Sequence, residues 1–147
     1  MTKEMQPATQ QPLGFWALRA GEAIRSRTRG RLAEVGVTQP EWWVLHQLSM
    51  HHTGMSQDDI VSIVGPNESD DSIARAIETG IDKGWLDRSG DHIRLTDKGT
   101  KQFHAAAEVQ QQLNDERRQG ISGRDYATTI EVLQRTLTNV GSDAWHW

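Results

Sequence analysis

The side chains able to do chemistry are few and scattered. Among 147 residues there is no cysteine, so disulfides, thiolate metal sites, thiol nucleophiles and thiol-based peroxide sensing are excluded. His104 and Glu108 stand at i and i+4 of one predicted helix and present two metal-ligand types on one face, with His51 and His52 nearby in sequence. Adjacent histidines in a turn point apart, and spacing supplies no third ligand, so the set stops short of a zinc site. Asp58 and Asp59 are neighbours, but they occupy the first turn of a helix, where carboxylates complement the positive end of the dipole. The serines fall at helix starts and no glycine-rich phosphate loop is present. The expectation is a protein that is not an enzyme and carries no metal or cofactor. What remains is polar recognition chemistry: Asn67, Ser69, Ser72 and Arg75 in one segment, and Arg88, His92 and Arg94 in another.

These residues need elements to position them. The stretch 84–99, GWLDRSGDHIRLTDKG, reads as helix end, strand, tight turn, strand, helix start. Trp85 and Leu86 enter the first strand, Ser89, Gly90 and Asp91 supply the turn, and Ile93 and Leu95 alternate inward on the return. A short hairpin on a helix-turn-helix unit is the outline of a winged helix. Upstream, Thr38-Gln39-Pro40-Glu41 is a capping box with proline in the first turn. It opens a second helix burying Trp42, Leu45 and Leu48. Ser56 caps a third helix burying Ile60, Ile63 and Val64, ended by Gly65 and Pro66. Asn67 or Ser69 caps a fourth, with Ile73, Ile77 and Ile81 four apart.

Flanking helices complete the chain. Residues 1–11 read as a flexible leader. Residues 13 to about 35 form an amphipathic helix with Leu13, Trp16, Ala17, Ala20, Ile24, Leu32 and Val35 on its apolar side, and with Arg25, Arg27, Arg29 and Arg31 around its later half. Thr96 and Asp97 open a fifth helix through about Gln119, burying Phe103, Ala106, Val109 or Gln110, and Leu113. Ser122 opens a sixth, where Tyr126, Ile130, Leu133, Leu137 and Val140 make one apolar stripe. The terminal Trp145, His146 and Trp147 are expected to fold back onto the rest. With no apolar run of about 18 residues and no signal-peptide core, the chain reads as soluble, cytoplasmic and without membrane contact. The fold class expected is mainly α with a small β-hairpin. The formal net charge of −4 confines any basic surface to a local patch.

The order of these parts, and the segments TQPEWWVLHQL, MSQDDIVSIVG, IARAIETGIDKGWLDR and IRLTDKG, resemble the MarR family of winged-helix transcription regulators. The resemblance implies one domain over 12–147. Residues 37–99 would be the DNA-binding lobe, and 12–36 and 100–147 dimerisation helices that interlock in a homodimer. It implies a fourth helix in the DNA major groove and a wing near the minor groove. The DNA-contacting residues would be Ser56, Gln57, Asn67, Ser69, Ser72 and Arg75, with Arg88, His92 and Arg94 in the wing. Arg75 would hold a guanine edge or a phosphate, unless it is spent on Asp71 or Glu78 along its own helix. A crevice lined by Trp16, Arg19, Trp43, His46 and Phe103 would take a small aromatic effector, unless these side chains simply pack.

Three features depart from the family pattern. The wing tip is shortened to Ser89, Gly90 and Asp91. Between Gly54 and Arg88 stand eight acidic residues against Arg75, Lys83 and Arg88, which disfavours proximity to phosphates. Gly80 stands where the family usually has a buried leucine, and is expected to loosen or bend the helix. A winged-helix dimer that engages a protein through an acidic face is therefore the alternative reading.

Overall fold

A computed structural model describes residues 4–142, so the expectation for Trp145, His146 and Trp147 lies outside the described residues. The helices are α1 (Leu13–Glu34), α2 (Gln39–Ser49), α3 (Gln57–Val64), α4 (Asp70–Asp82), α5 (Asp97–Arg118) and α6 (Gly123–Asn139). The strands are β1 (Met55–Ser56), β2 (Leu86–Ser89) and β3 (His92–Leu95). No described helix is long and apolar enough to cross a membrane. The described chain divides into two compact units that part between Gln110 and Gln111, inside α5.

In the first unit the capping box forms in full. The Glu41 amide donates to Thr38 Oγ1 at 3.3 Å while the Thr38 amide donates to Glu41 Oε1 at 2.9 Å. Ser56 and Ser69 cap α3 and α4 by accepting the amides of Asp59 and Ser72, each at 3.1 Å. The core joins α2, α3 and α4 through Val44, Leu45, Leu48, Ile60, Val64, Ile73 and Ile77, all buried. Burial differs from expectation at the edges of the faces. Ile63 is 41% exposed, because on so short a helix Ile60 and Val64 already span the covered side. Leu95 and Ile81 are only half-buried.

The hairpin is part of a three-stranded antiparallel sheet in the order β1-β3-β2. The short β1 pairs Met55 with Ile93 and Ser56 with His92, a ladder too brief to leave a period-two signal. Trp85 precedes β2 instead of entering it, and its backbone joins two helices. Its amide donates to the Gly80 carbonyl at 2.9 Å, and its carbonyl accepts the Thr96 amide at 3.0 Å. Thr96 Oγ1 donates to the Gly84 carbonyl at 2.6 Å and accepts the Gly99 amide at 3.0 Å. A Cβ on Gly99 would stand 2.8 Å from the Trp85 carbonyl carbon, so only glycine lets α5 start so close to this backbone. Gly80 is explained in the same way. A Cβ there would meet Leu86 Cδ1 at 2.8 Å, so the Leu86 side chain fills the space, and α4 runs unbroken to Asp82 rather than bending.

Along α1 most of the anticipated apolar side is uncovered. Leu32 is buried, but Leu13, Phe15, Trp16, Leu18 and Ile24 are each at least 41% exposed. In the second unit Ser122 caps α6 by accepting the Asp125 amide at 3.0 Å, and the Arg118 guanidinium lies 3.7 Å from the centre of the Tyr126 ring. The α6 stripe is also open: Ile130 and Leu137 are exposed, and Val140 is 73% exposed.

Candidate nucleic-acid interface

The residues anticipated for recognition separate into an α4 group and a wing group. On α4 the buried positions Ile73, Ala76, Ile77 and Gly80 leave Asp71, Arg75, Glu78 and Asp82 along the opposite line. Arg75 makes no ion pair among the described residues, so it is not spent on Asp71 or Glu78. Glu78 is committed elsewhere, accepting from Arg88 at 2.6 Å. Ser69 and Ser72 are joined to each other, Ser69 Oγ donating to Ser72 Oγ at 2.8 Å at the start of the helix. Asn67 lies in the 3-10 turn Gly65–Asn67 that precedes it.

The wing register decides which of its cations share a face. In β2 and β3, Arg88 opposes Ile93 and Leu86 opposes Leu95, while Asp87 opposes Arg94 and Ser89 opposes His92. Directly opposed residues project to the same side, so Arg88 belongs with the inward row. There it bridges Gln57 Oε1 at 3.0 Å and Glu78 Oε1 at 2.6 Å, tying the wing to the start of α3 and to α4. His92 and Arg94 occupy the outward row. His92 Nδ1 lies 3.0 Å from Asp91 Oδ1, an interaction that lowers the Asp91 pKa. Ser56 is engaged as a helix cap. The anticipated wing cations are thus divided, with Arg88 bracing the fold and Arg94 opposite Asp87.

Sequence reasoning did not foresee the buried carboxylate beside α4. Glu41 is 3% exposed, and while its Oε1 closes the capping box, its Oε2 accepts Lys83 Nζ at 2.6 Å. Lys83 also lies 4.4 Å from the centre of a Trp85 ring. The capping box was readable as such, but nothing local could announce a partner 42 positions away. Between α2 and α4 an open notch of about 300 Å³ is lined by Thr38, Pro40, Glu41, Ser72, Arg75, Ala76, Thr79 and Lys83.

The effector set is only partly assembled. Phe103 stacks on Trp42 at 5.8 Å between ring centroids with planes 7° apart, and His46 lies 5.2 Å from Trp42 and 6.5 Å from Phe103. Burial lowers the His46 pKa. Trp43, half-buried, is not the residue that stacks on Phe103; its neighbour is, and at adjacent helical positions sequence alone does not separate the two. Trp16 and Arg19 sit on exposed α1. Trp16 Nε1 donates to Gln11 Oε1 at 2.6 Å, and the Arg19 guanidinium covers Phe15 at 4.3 Å. A crevice of about 190 Å³ lies beside Phe103, bounded also by Leu48, His51, His52, Leu95 and His104. His51 Nδ1 donates to the Gln47 carbonyl at 2.9 Å. Among the described residues no three histidine, aspartate or glutamate side chains converge as a metal site.

No family model matches the chain. Solved structures do. A MarR family protein of Mycobacterium tuberculosis in complex with DNA superposes with a TM-score of 0.68 at 21% identity, covering 90% of this chain and 100% of that one. A MarR family protein of the same organism in complex with salicylic acid gives 0.63 at 20% identity, covering 85% and 98%. A MarR family transcriptional regulator from Silicibacter pomeroyi gives 0.74 at 19% identity, covering 92% and 99%. At such identities it is the fold that is shared, here six helices and a small antiparallel sheet. By fold, the chain is a winged helix-turn-helix of the MarR type.

Proposed function

We propose that this protein is a homodimeric DNA-binding transcriptional regulator that reads a pseudo-palindromic site with α4. The observation that carries the reading is Arg75: an exposed guanidinium without an ion-pair partner among the described residues, midway along a serine-capped helix that the fold presents outward. Two copies are invoked because α1 and α6 hold apolar rows that the chain leaves uncovered, and paired recognition helices match a two-fold related site. The likeness to a structure solved with DNA supports the partner class. The crevice beside Phe103, and the likeness to a structure solved with salicylic acid, support control by a small aromatic effector. Such an effector acts by its differential affinity for the DNA-bound and free states.

A fluorescence titration of the purified protein against the DNA flanking its own gene, beside random duplex of equal length, tests the reading. At moderate salt the specific duplex is expected to bind about a thousandfold tighter or more. Equal affinities at every tested segment would sink it. One observation favours a second reading, engagement of a protein through an acidic face: Asp70, Asp71 and Asp82 are exposed on α4, with Glu68 half-buried just before it. That reading takes over if no duplex is preferred.

A further inference from the structure

The notch between α2 and α4 differs electrically from the rest of the recognition surface. Around it α4 is acidic, with Asp71, Glu78 and Asp82 on its outward line and Asp70 at its start. Within the notch, Arg75 and Lys83 stand against the single carboxylate of Glu41, and that carboxylate is already held by Lys83 at 2.6 Å. The lining therefore keeps one positive charge in excess, and Arg75 is the cation that supplies it.

The hydroxyls beside Arg75 also have donors to spare. Thr38 Oγ1 accepts the Glu41 amide and Ser72 Oγ accepts from Ser69, so each uses a lone pair and keeps its own proton. Thr79 Oγ1 makes no hydrogen bond among the described residues. Ser72 and Thr79 stand at i−3 and i+4 from Arg75, on the flank of α4 that faces α2. A guanidinium with three hydroxyl donors and no uncompensated carboxylate suits a tetrahedral oxyanion. It suits a guanine edge less well, since the flat pair of O6 and N7 acceptors would occupy the guanidinium and leave the three hydroxyl donors unpaired.

From this juxtaposition we infer that the notch holds one phosphodiester of the duplex backbone, and that Arg75 grips the phosphate instead of reading a base. The inference rests on the DNA-binding reading above. It makes Arg75 a positioning residue that fixes the register of α4, and it leaves base discrimination to the start of the helix.

The test uses the full chain and its Arg75→Ala variant, titrated against the preferred duplex and random duplex over a range of salt. Affinity for both duplexes is expected to fall by a similar factor of about ten, and the slope of log affinity against log salt to shrink by about one for each notch engaged. Thr79→Val, which keeps the shape and removes a donor, is expected to lower both affinities by a smaller common factor. A loss confined to the preferred duplex, or an unchanged salt slope, would overturn the inference in favour of base reading. Unchanged binding by Arg75→Ala overturns it outright. Competition by inorganic phosphate beyond that of chloride at equal ionic strength would assign the notch to a free anion and overturn the duplex assignment. If the wild-type chain prefers no duplex, the function reading fails first, and that outcome is distinct from any pattern in the variants.

Discussion

Between residues 37 and 99 most large apolar side chains are buried by the chain itself, Met50 and Ile63 being the exposed exceptions, whereas α1 and α6 carry theirs largely uncovered. The first region closes on itself at several levels. Its helices are capped by Thr38, Ser56 and Ser69, its wing is pinned by Arg88, and Gly80 and Gly99 admit Leu86 and the Trp85 backbone at contact distance. α6 is capped as regularly, by Ser122, and α1 runs unbroken for 22 residues after Pro12 without a side-chain cap, yet Phe15, Trp16, Leu18, Ile130, Leu137 and Val140 face outward. Local order and burial have thus come apart. A rim of apolar side chains that costs solubility is retained when another surface covers it, and a second copy is the cover proposed above.

The contrast breaks most severely at Gly99. Gly99→Ala drives a methyl group into the Trp85 carbonyl, backbone against backbone, where neither α5 nor the wing can retreat cheaply. A loss of about 3 kcal/mol is expected from such overpacking, read as a lower urea midpoint. A midpoint within experimental error of the parent would show that the junction has slack. Ile130→Glu probes the other side. Its position on exposed α6 leaves the winged-helix region folded, while a charge set into the proposed dimer surface is expected to weaken self-association about a hundredfold. Sedimentation reads the association state and circular dichroism the fold. Unfolding, or an unaltered dimer, would contradict the division between a self-contained lobe and partner-dependent ends.

Those two positions also mark what the sequence makes legible. The capping box, the serine caps and the wing turn are local signals, and each appears where the residues place it, because a cap is satisfied within three or four positions. The exposed α6 stripe was legible as a stripe, since periodicity needs no partner. The candidate site was legible in types but not in pairings. Arg88 reads as a free wing cation until the strand register turns it inward to Glu78 and Gln57, and Arg75 reads equally as a DNA contact or as a partner of Asp71 or Glu78 until the side chains show Glu78 taken by Arg88 and no pair with Asp71 among the described residues. Gly80 reads as a defect, yet Leu86 occupies the space a larger residue would fill. These are contacts over 6 to 31 positions, and no propensity or spacing encodes which of several carboxylates a guanidinium will find.

The gentlest probe of the self-contained region is protonation of His46. Partial burial beside Trp42 and Phe103 lowers its pKa from the ordinary 6.5, so the folded chain holds the neutral ring to lower pH than the unfolded chain does. Below about 6.5 the unfolded state gains a proton that the folded state resists, and this group's contribution therefore falls as pH drops and levels off below the folded pKa. Well above the ordinary pKa, at about pH 8, both states are neutral and His46 contributes no slope. Urea midpoints measured from pH 8 to pH 5 should show this decline, and His46→Gln, which cannot titrate, should flatten that part of the profile. Because the ring is only partly buried the effect is expected to be the smallest of the three, and solvent screening reduces it further. A parent and variant with parallel profiles would mean that the aromatic cluster accepts the charged ring as readily as water does, and that the lobe is looser around Phe103 than the stacked geometry implies.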